Sequence, residues 1–177
     1  MISFAASEEV TEKDSILIMI DVNECVVVPS APQTVWDLLT DPHAVVNCVP
    51  GATLGDPHED GSFDGSLTVK FGPAKVTFHT RVALELDAVA RIGHVTARGK
   101  DNQGGTRVRA TMTFNVLEQI EAPGTSIFIE AQVEISGRLA LVVEAGASIV
   151  VKRMTREFSE RLAARCAGTA QVGASAQ

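Results

Sequence analysis

The chain contains no tyrosine and a single tryptophan, so a phenolic acid is excluded from any reaction it performs. It holds three cysteines, Cys25, Cys48 and Cys166, with no C-x-x-C pair among them; the spacing suggests neither a disulfide framework nor a zinc ribbon, and buried thiols are the expectation. Positive charge is scarce: 15 Lys and Arg against 22 Asp and Glu leave a formal net charge of -7. Phosphate binding rests on clustered cations, so a nucleic-acid partner is not expected. No stretch approaches the ~18 uninterrupted apolar residues of a membrane-spanning helix. Glu8, Glu9 and Glu12 make the N-terminus unlike the basic start of a signal peptide, and a cytoplasmic protein is expected.

Several chemical signatures are missing as well. His43, His58, His79 and His94 show no H-E-x-x-H or comparable spacing, so neither a metal nor a covalent cofactor is expected. There is no G-x-S-x-G elbow, and Cys48 has no recognisable base near it in sequence. Gly104-Gly105 lacks the lysine and the strand-to-helix context of a phosphate loop and reads as a hairpin turn.

What is present is an ordered succession of patterns within 177 residues, 45% of them hydrophobic, enough for one domain with a sizeable core. Residues 1–14 and 168–177 are polar and read as an N-terminal and a flexible C-terminal tail around a domain at 15–167. Ile16, Ile18, Ile20 and Val22 open a strand that runs to Val28 and stops at Pro29. Ser30 is placed to cap a short helix with Val35, Trp36, Leu38 and Leu39 on its apolar face, ended by Asp41-Pro42. One more turn fits over Val45 to Val49.

The period then falls to two. Phe63, Leu67, Val69 and Phe71 share one parity before Gly72-Pro73, and Val76, Phe78, Val82, Leu84 and Leu86 follow it. Val108, Ala110, Met112, Phe114 and Val116 alternate with Arg107, Arg109, Thr111 and Thr113; Ile127, Ile129, Ala131, Val133 and Ile135 alternate with Glu130, Gln132 and Glu134. From Arg138 the spacing becomes three and four, with Leu139, Val142, Val143, Gly146, Ile149, Val150, Met154, Phe158 and Leu162 on one predicted face. A helix of about 28 residues would be roughly 42 Å long. The fold class is thus α+β: about seven antiparallel strands, two short helices after the first, and a sheet curved around a long C-terminal helix.

Such a sheet can leave space for a small molecule between its concave face and the helix, although the same apolar faces could close into a solid core. The candidate walls are Trp36, Val49 and Pro50 near the short helices, Phe71, Phe78, Met112 and Phe114 on the sheet, and Gly146 and Ile149 on the long helix. Gly146 costs a helix about 1 kcal/mol relative to Ala, which suggests close approach of sheet or ligand. The C-terminal segment is locally basic through Lys152, Arg153, Arg156, Arg161 and Arg165, against Glu157 and Glu160.

The segments VPSAPQTVWDLLTDP at Val28 to Pro42, NCVPGA at Asn47 to Ala52, VKFGPAKVTF at Val69 to Phe78, ARGKDNQGG at Ala97 to Gly105 and SGRLA at Ser136 to Ala140 resemble the carbon monoxide dehydrogenase G-subunit family of the START-like (SRPBCC), helix-grip superfamily. The resemblance spans Ile16 to Cys166 and departs from the family pattern at Glu144 to Ser148. It implies a noncatalytic helper of a molybdenum-containing hydroxylase that aids either its recruitment to the inner face of the cytoplasmic membrane or its electron transfer, by carrying a quinone-like or lipid-like apolar molecule.

Two alternatives stand beside it. One is a cyclase- or lyase-type enzyme acting on an aromatic substrate on the same scaffold, with His94, Arg98 and Cys48 as its polar candidates. The other is a membrane- or protein-docking module using the basic C-terminal helix. Whether the chain forms a homodimer is not legible in the sequence.

Overall fold

The computed structural model describes residues 16–174, so the expected N-terminal tail at 1–14 lies outside it. β1 (Leu17–Val28) alternates as its sequence suggests: Ile18, Ile20, Val26 and Val28 are buried, while Leu17, Asn23, Cys25 and Val27 are exposed. Pro29 ends it, and α1 (Pro32–Thr40) follows with proline at its first position, where a missing N–H costs nothing. Ser30 does not cap this helix. The N-cap residue is Ala31, with no side-chain cap; Ser30 sits one position too early, and its carbonyl accepts the Thr125 hydroxyl at 2.7 Å. Asp41 does cap the next turn, α2 (Pro42–Val45), where its carboxylate accepts the His43 and Ala44 amides at 2.9 and 3.3 Å. A 3-10 turn at Val46–Cys48 completes the connection.

Six strands then run as a meander: β2 (Ala52–Pro57), β3 (Phe63–Phe71), β4 (Ala74–Asp87), β5 (Ile92–Asp101), β6 (Thr106–Glu118) and β7 (Thr125–Gly137). β1 pairs with β7, giving one antiparallel sheet in the order β1-β7-β6-β5-β4-β3-β2. Short hairpins enforce neighbour pairing. β2 ends irregularly: it contains Gly55 and Pro57, and its register with β3 shifts between Leu54 and Pro57.

The last element is α3 (Ala140–Ala174), 35 residues long. It starts two residues after the expected point because Gly137 and Arg138 form the turn: Gly137 has φ +118, and the Arg138 amide donates to Gly105 O at 3.2 Å. It also continues through the segment read as a tail from residue 168, up to Ala174. Its buried line is Ala140, Val143, Ala147, Val150, Leu162 and Cys166, with Leu139, Met154 and Phe158 packed beside it. Val142 and Ile149 lie off that line and are 38% and 73% exposed, so the helix is turned about one residue from the face read in the sequence.

Candidate functional site

The concave face of the sheet can be read row by row from the strand register. Near its two ends it carries large buried side chains. One end is a cluster of Ile18, Ile20, Val69, Phe71, Val76, Phe78 and Ile135 closed by Ala140, Val143, Ala147 and Val150 of α3. The other gathers Val26, Val28, Val35, Trp36, Leu39, Cys48, Phe114, Val116 and Ile127 under Leu162 and Cys166. Trp36 and Phe114 meet there with ring centroids 6.0 Å apart.

Where the two clusters meet, small residues, Ala97, Ala110 and Ala131, stand among larger ones packed on one cluster or the other. Val22, Ala131, Met112, Val95 and Leu84 form one cross-strand row, and Ile20, Val133, Ala110, Ala97 and Val82 the next. Gly99 follows on β5 and Gly65 on β3. Val22, Val82, Val95, Ala97, Ala110, Met112, Ala131 and Val133 are all partly exposed although they point toward the helix. For Val82, Val95, Ala97, Ala110 and Met112 the helix position accounts for this: α3 lies close to β1 and β3 at the two sides of the curve, and its backbone stands off from β4, β5 and β6.

Most of the predicted wall residues therefore fall into two groups. Phe71, Phe78 and Gly146 belong to the first end, and Phe71 explains the glycine, since a Cβ at Gly146 would lie 3.1 Å from its ring. Trp36, Met112 and Phe114 belong to the second end, where the Phe114 ring occupies the space a Cβ on Gly93 would need. Val49 and Pro50 are partly exposed beside Cys48 at the turn between the short helices and β2. Ile149 is turned out to solvent and cannot line this face, because it sits one residue, about 100°, from the seam through Val150.

The polar candidates divide as well. His94 bonds Thr113 at 2.9 Å on the convex side, and Arg98 is exposed on the same side. His79 is exposed there too, while His58 contacts Asp64 at 2.8 Å, and the His43 ring stands edge-on to Phe63. Among the described residues no three His, Cys, Asp or Glu side chains are placed to hold a metal ion. Burial pushes the thiols of Cys48 and Cys166 above the ordinary cysteine value, which keeps both protonated and unreactive near neutral pH.

One polar residue is absent from the candidates drawn from sequence. β1 has no bulge, so Glu24 shares the concave parity of Val22 and Val26, opposite Ile129; it is partly buried, with no side-chain partner among the described residues. Its signal was present: it is the only charged residue in the even series from Ile16 to Val28.

Residues 26–167 match the family of the carbon monoxide dehydrogenase G subunit (CoxG). The chain belongs to that family. No curated protein matches it. Among solved structures, a conserved protein from Geobacillus kaustophilus is 17% identical with a TM-score of 0.72, over 84% of this chain and 96% of that one. The ZhuI aromatase/cyclase from Streptomyces sp. R1128 is 14% identical with a TM-score of 0.55, over 84% and 93%. A START superfamily protein from Mycobacterium smegmatis is 14% identical with a TM-score of 0.52, over 84% and 98%. At these identities the likeness is one of fold: this CoxG chain has a START-like, helix-grip architecture. No helix among the described residues is long and apolar enough to cross a membrane.

Proposed function

We propose that this CoxG protein binds an apolar, quinone-like or lipid-like molecule between α3 and the small-residue middle of the concave face, as a noncatalytic partner of a molybdenum hydroxylase of the carbon monoxide dehydrogenase type. The observation that carries the reading is the contrast along the inner face: large buried residues at both ends, Ala97, Ala110 and Ala131 between them, and a helix that stands off from the central strands. Small residues on a covered apolar face leave volume that an apolar guest can fill, and burying its surface supplies the binding energy. Glu24, in the Ile129–Phe114 row at the border of this region, offers a polar group suited to accept a hydrogen bond from a ring hydroxyl.

Trp36 is the only tryptophan and lies in the end wall, so it reports directly on occupancy. Titration with a short-chain naphthoquinone is expected to quench its fluorescence to saturation, and native mass spectrometry after gentle purification is expected to show a retained apolar molecule. No quenching together with ligand-free protein would overturn the binding reading. The partner is tested separately, by co-sedimentation with a purified molybdenum hydroxylase of this type; absence of a complex would remove that half of the proposal.

The cyclase or lyase reading keeps one favourable observation. With His94 and Arg98 on the convex side and Cys48 held as a thiol, Glu24 is the carboxylate on the concave parity of β1, in the Ile129–Phe114 row that borders the middle. Turnover of an aromatic polyketide that disappears in Glu24→Gln while naphthoquinone binding persists would favour it. The docking reading through α3 has fewer free cations than its sequence suggests: Arg153 donates to Lys70 O at 3.3 Å and Arg161 lies 3.6 Å from Glu157, while Lys152, Arg156 and Arg165 are exposed.

A further inference from the structure

The convex face concentrates the scarce positive charge of this chain in one place. The register sets Arg81, Arg98 and Arg109 side by side on β4, β5 and β6, and two residues further along it sets His79, Lys100 and Arg107 side by side on the same strands. All six are exposed. They form a grid about 10 Å across the strands and about 7 Å along them, from strand spacing and rise. The arginine row is fenced by carboxylates at both ends: Asp64 lies 3.9 Å from Arg81, and Glu134 lies 3.7 Å from Arg109. The second row ends on hydroxyls, Ser66 beside His79 and Ser136 beside Arg107. Among the described residues, no carboxylate lies within ion-pair distance of Arg98, Lys100 or Arg107. Arg98, Arg107 and Arg109 line an open depression that reaches Leu17 and Ser136 at its edge.

Like charges directly opposite one another on neighbouring strands destabilise a sheet. The register here places cation against cation at three cross-strand pairs, with His79 opposite Lys100 beside them, in a chain whose overall charge is -7. An arrangement that works against folding needs a role outside it. We infer that the grid is a docking surface for a short acidic stretch of a partner protein.

Three features favour that occupant. Carboxylates two residues apart in an extended segment are about 6.8 Å apart, the step between the two rows. The fencing carboxylates, Asp64 and Glu134, limit the attractive area to a few charges and would repel a continuous anionic lipid surface or a long phosphate run. No apolar side chain projects from within the grid, and Leu17 at its edge is a single exposed one, less than insertion into a membrane interface would require. The inference is independent of the chamber, which lies on the opposite face of the sheet.

The test uses the full chain and a labelled hexaglutamate peptide, followed by fluorescence anisotropy at increasing salt. Wild type is expected to bind with an affinity that falls as salt rises. The pair Arg98→Glu with Lys100→Glu is expected to weaken binding roughly tenfold or more. The pair Lys70→Glu with Lys75→Glu changes the net charge equally outside the grid and is expected to stay within about twofold of wild type. Because reversal could disturb folding, Arg98→Gln with Lys100→Gln is compared as well. It should lose peptide binding while its Tm stays level or rises, an outcome that a structural role for these cations would reverse.

The inference is overturned if wild type does not bind the peptide, or if both reversed pairs lose it equally. Binding to phosphatidylserine–phosphatidylcholine vesicles without peptide binding would assign the grid to a membrane and overturn it. Tighter peptide binding after Glu8→Gln, Glu9→Gln and Glu12→Gln would assign it to the chain's own acidic residues, and would overturn it too.

Discussion

Val76 and Val82 lie on the same strand, three inward positions apart, yet Val76 is 3% exposed and Val82 is partly open to solvent on the side that faces the helix. Residue type and strand parity are identical in this pair, so neither decides burial. What differs is the element opposite: at the ends of the concave face α3 or α1 closes on the sheet, and over β4 to β6 the helix backbone holds off. One alternation of apolar residues thus gives fully buried rows at the ends of the concave face and partly exposed ones between them.

The largest effect expected from this contrast is in stability. Phe71→Ala removes a ring packed against Gly146 in the first end and should cost about 3 kcal/mol or more, whereas Val95→Ala in the middle should cost at most about 1 kcal/mol. Urea unfolding at unchanged m-value measures both. Equal losses would mean that the middle is packed as tightly as the ends. Next is Ala110→Leu, which in a filled core would cost about 1–3 kcal/mol by overpacking. In a chamber it should leave stability within about 0.5 kcal/mol of wild type and still weaken naphthoquinone binding roughly tenfold, as quenching of Trp36 would show.

The thiols sharpen the comparison at the second end. Cys25 is exposed, whereas Cys48 and Cys166 are buried with raised pKa values, so a thiol reagent at neutral pH should modify one cysteine promptly and the other two only as the protein unfolds. A raised pKa means that the folded state holds the proton more tightly than the unfolded one. Stability should therefore be complete below the ordinary cysteine value and decline as the pH rises through the higher folded values. Replacing Cys48 and Cys166 by Ala should flatten that alkaline decline in a pH series of urea midpoints.

The order of elements was legible because it rests on local signals: period two between glycine and proline turns, then the three-and-four spacing of a long helix. The family was legible from linear segments such as NCVPGA and VKFGPAKVTF. The position of the space was harder to read, because it depends on how far a helix stands from strands distant in sequence. Large residues such as Phe71, Phe78 and Trp36 stand out in the sequence as walls, yet they close the ends, while Ala97 and Ala131 of the middle carry no such signal. Ile149 was misplaced by a rotation of one residue, since Val142, Gly146 and Ile149 make a three-and-four series as regular as Val143, Ala147 and Val150. Glu24 was missed for the opposite reason: a run of apolar neighbours hid the one position that broke the pattern. The convex grid was invisible until the register was known, because Arg81, Arg98 and Arg109 lie on three different strands.

The smallest expected effect tests what the first end does to the helix it holds. Gly146 should cost α3 about 1 kcal/mol relative to Ala, yet an added Cβ would sit 3.1 Å from the Phe71 ring, close enough that the ring must give. Gly146→Ala in the wild type should consequently change stability by less than about 0.5 kcal/mol, the helical gain being offset by the contact. With Phe71→Leu in place the contact is relieved, and the same substitution should recover most of the ~1 kcal/mol. A double-mutant cycle isolates the difference as a coupling between the two positions. Additive effects would mean that the ring does not press on the helix there, and the close packing assigned to that end would lose its explanation for the glycine.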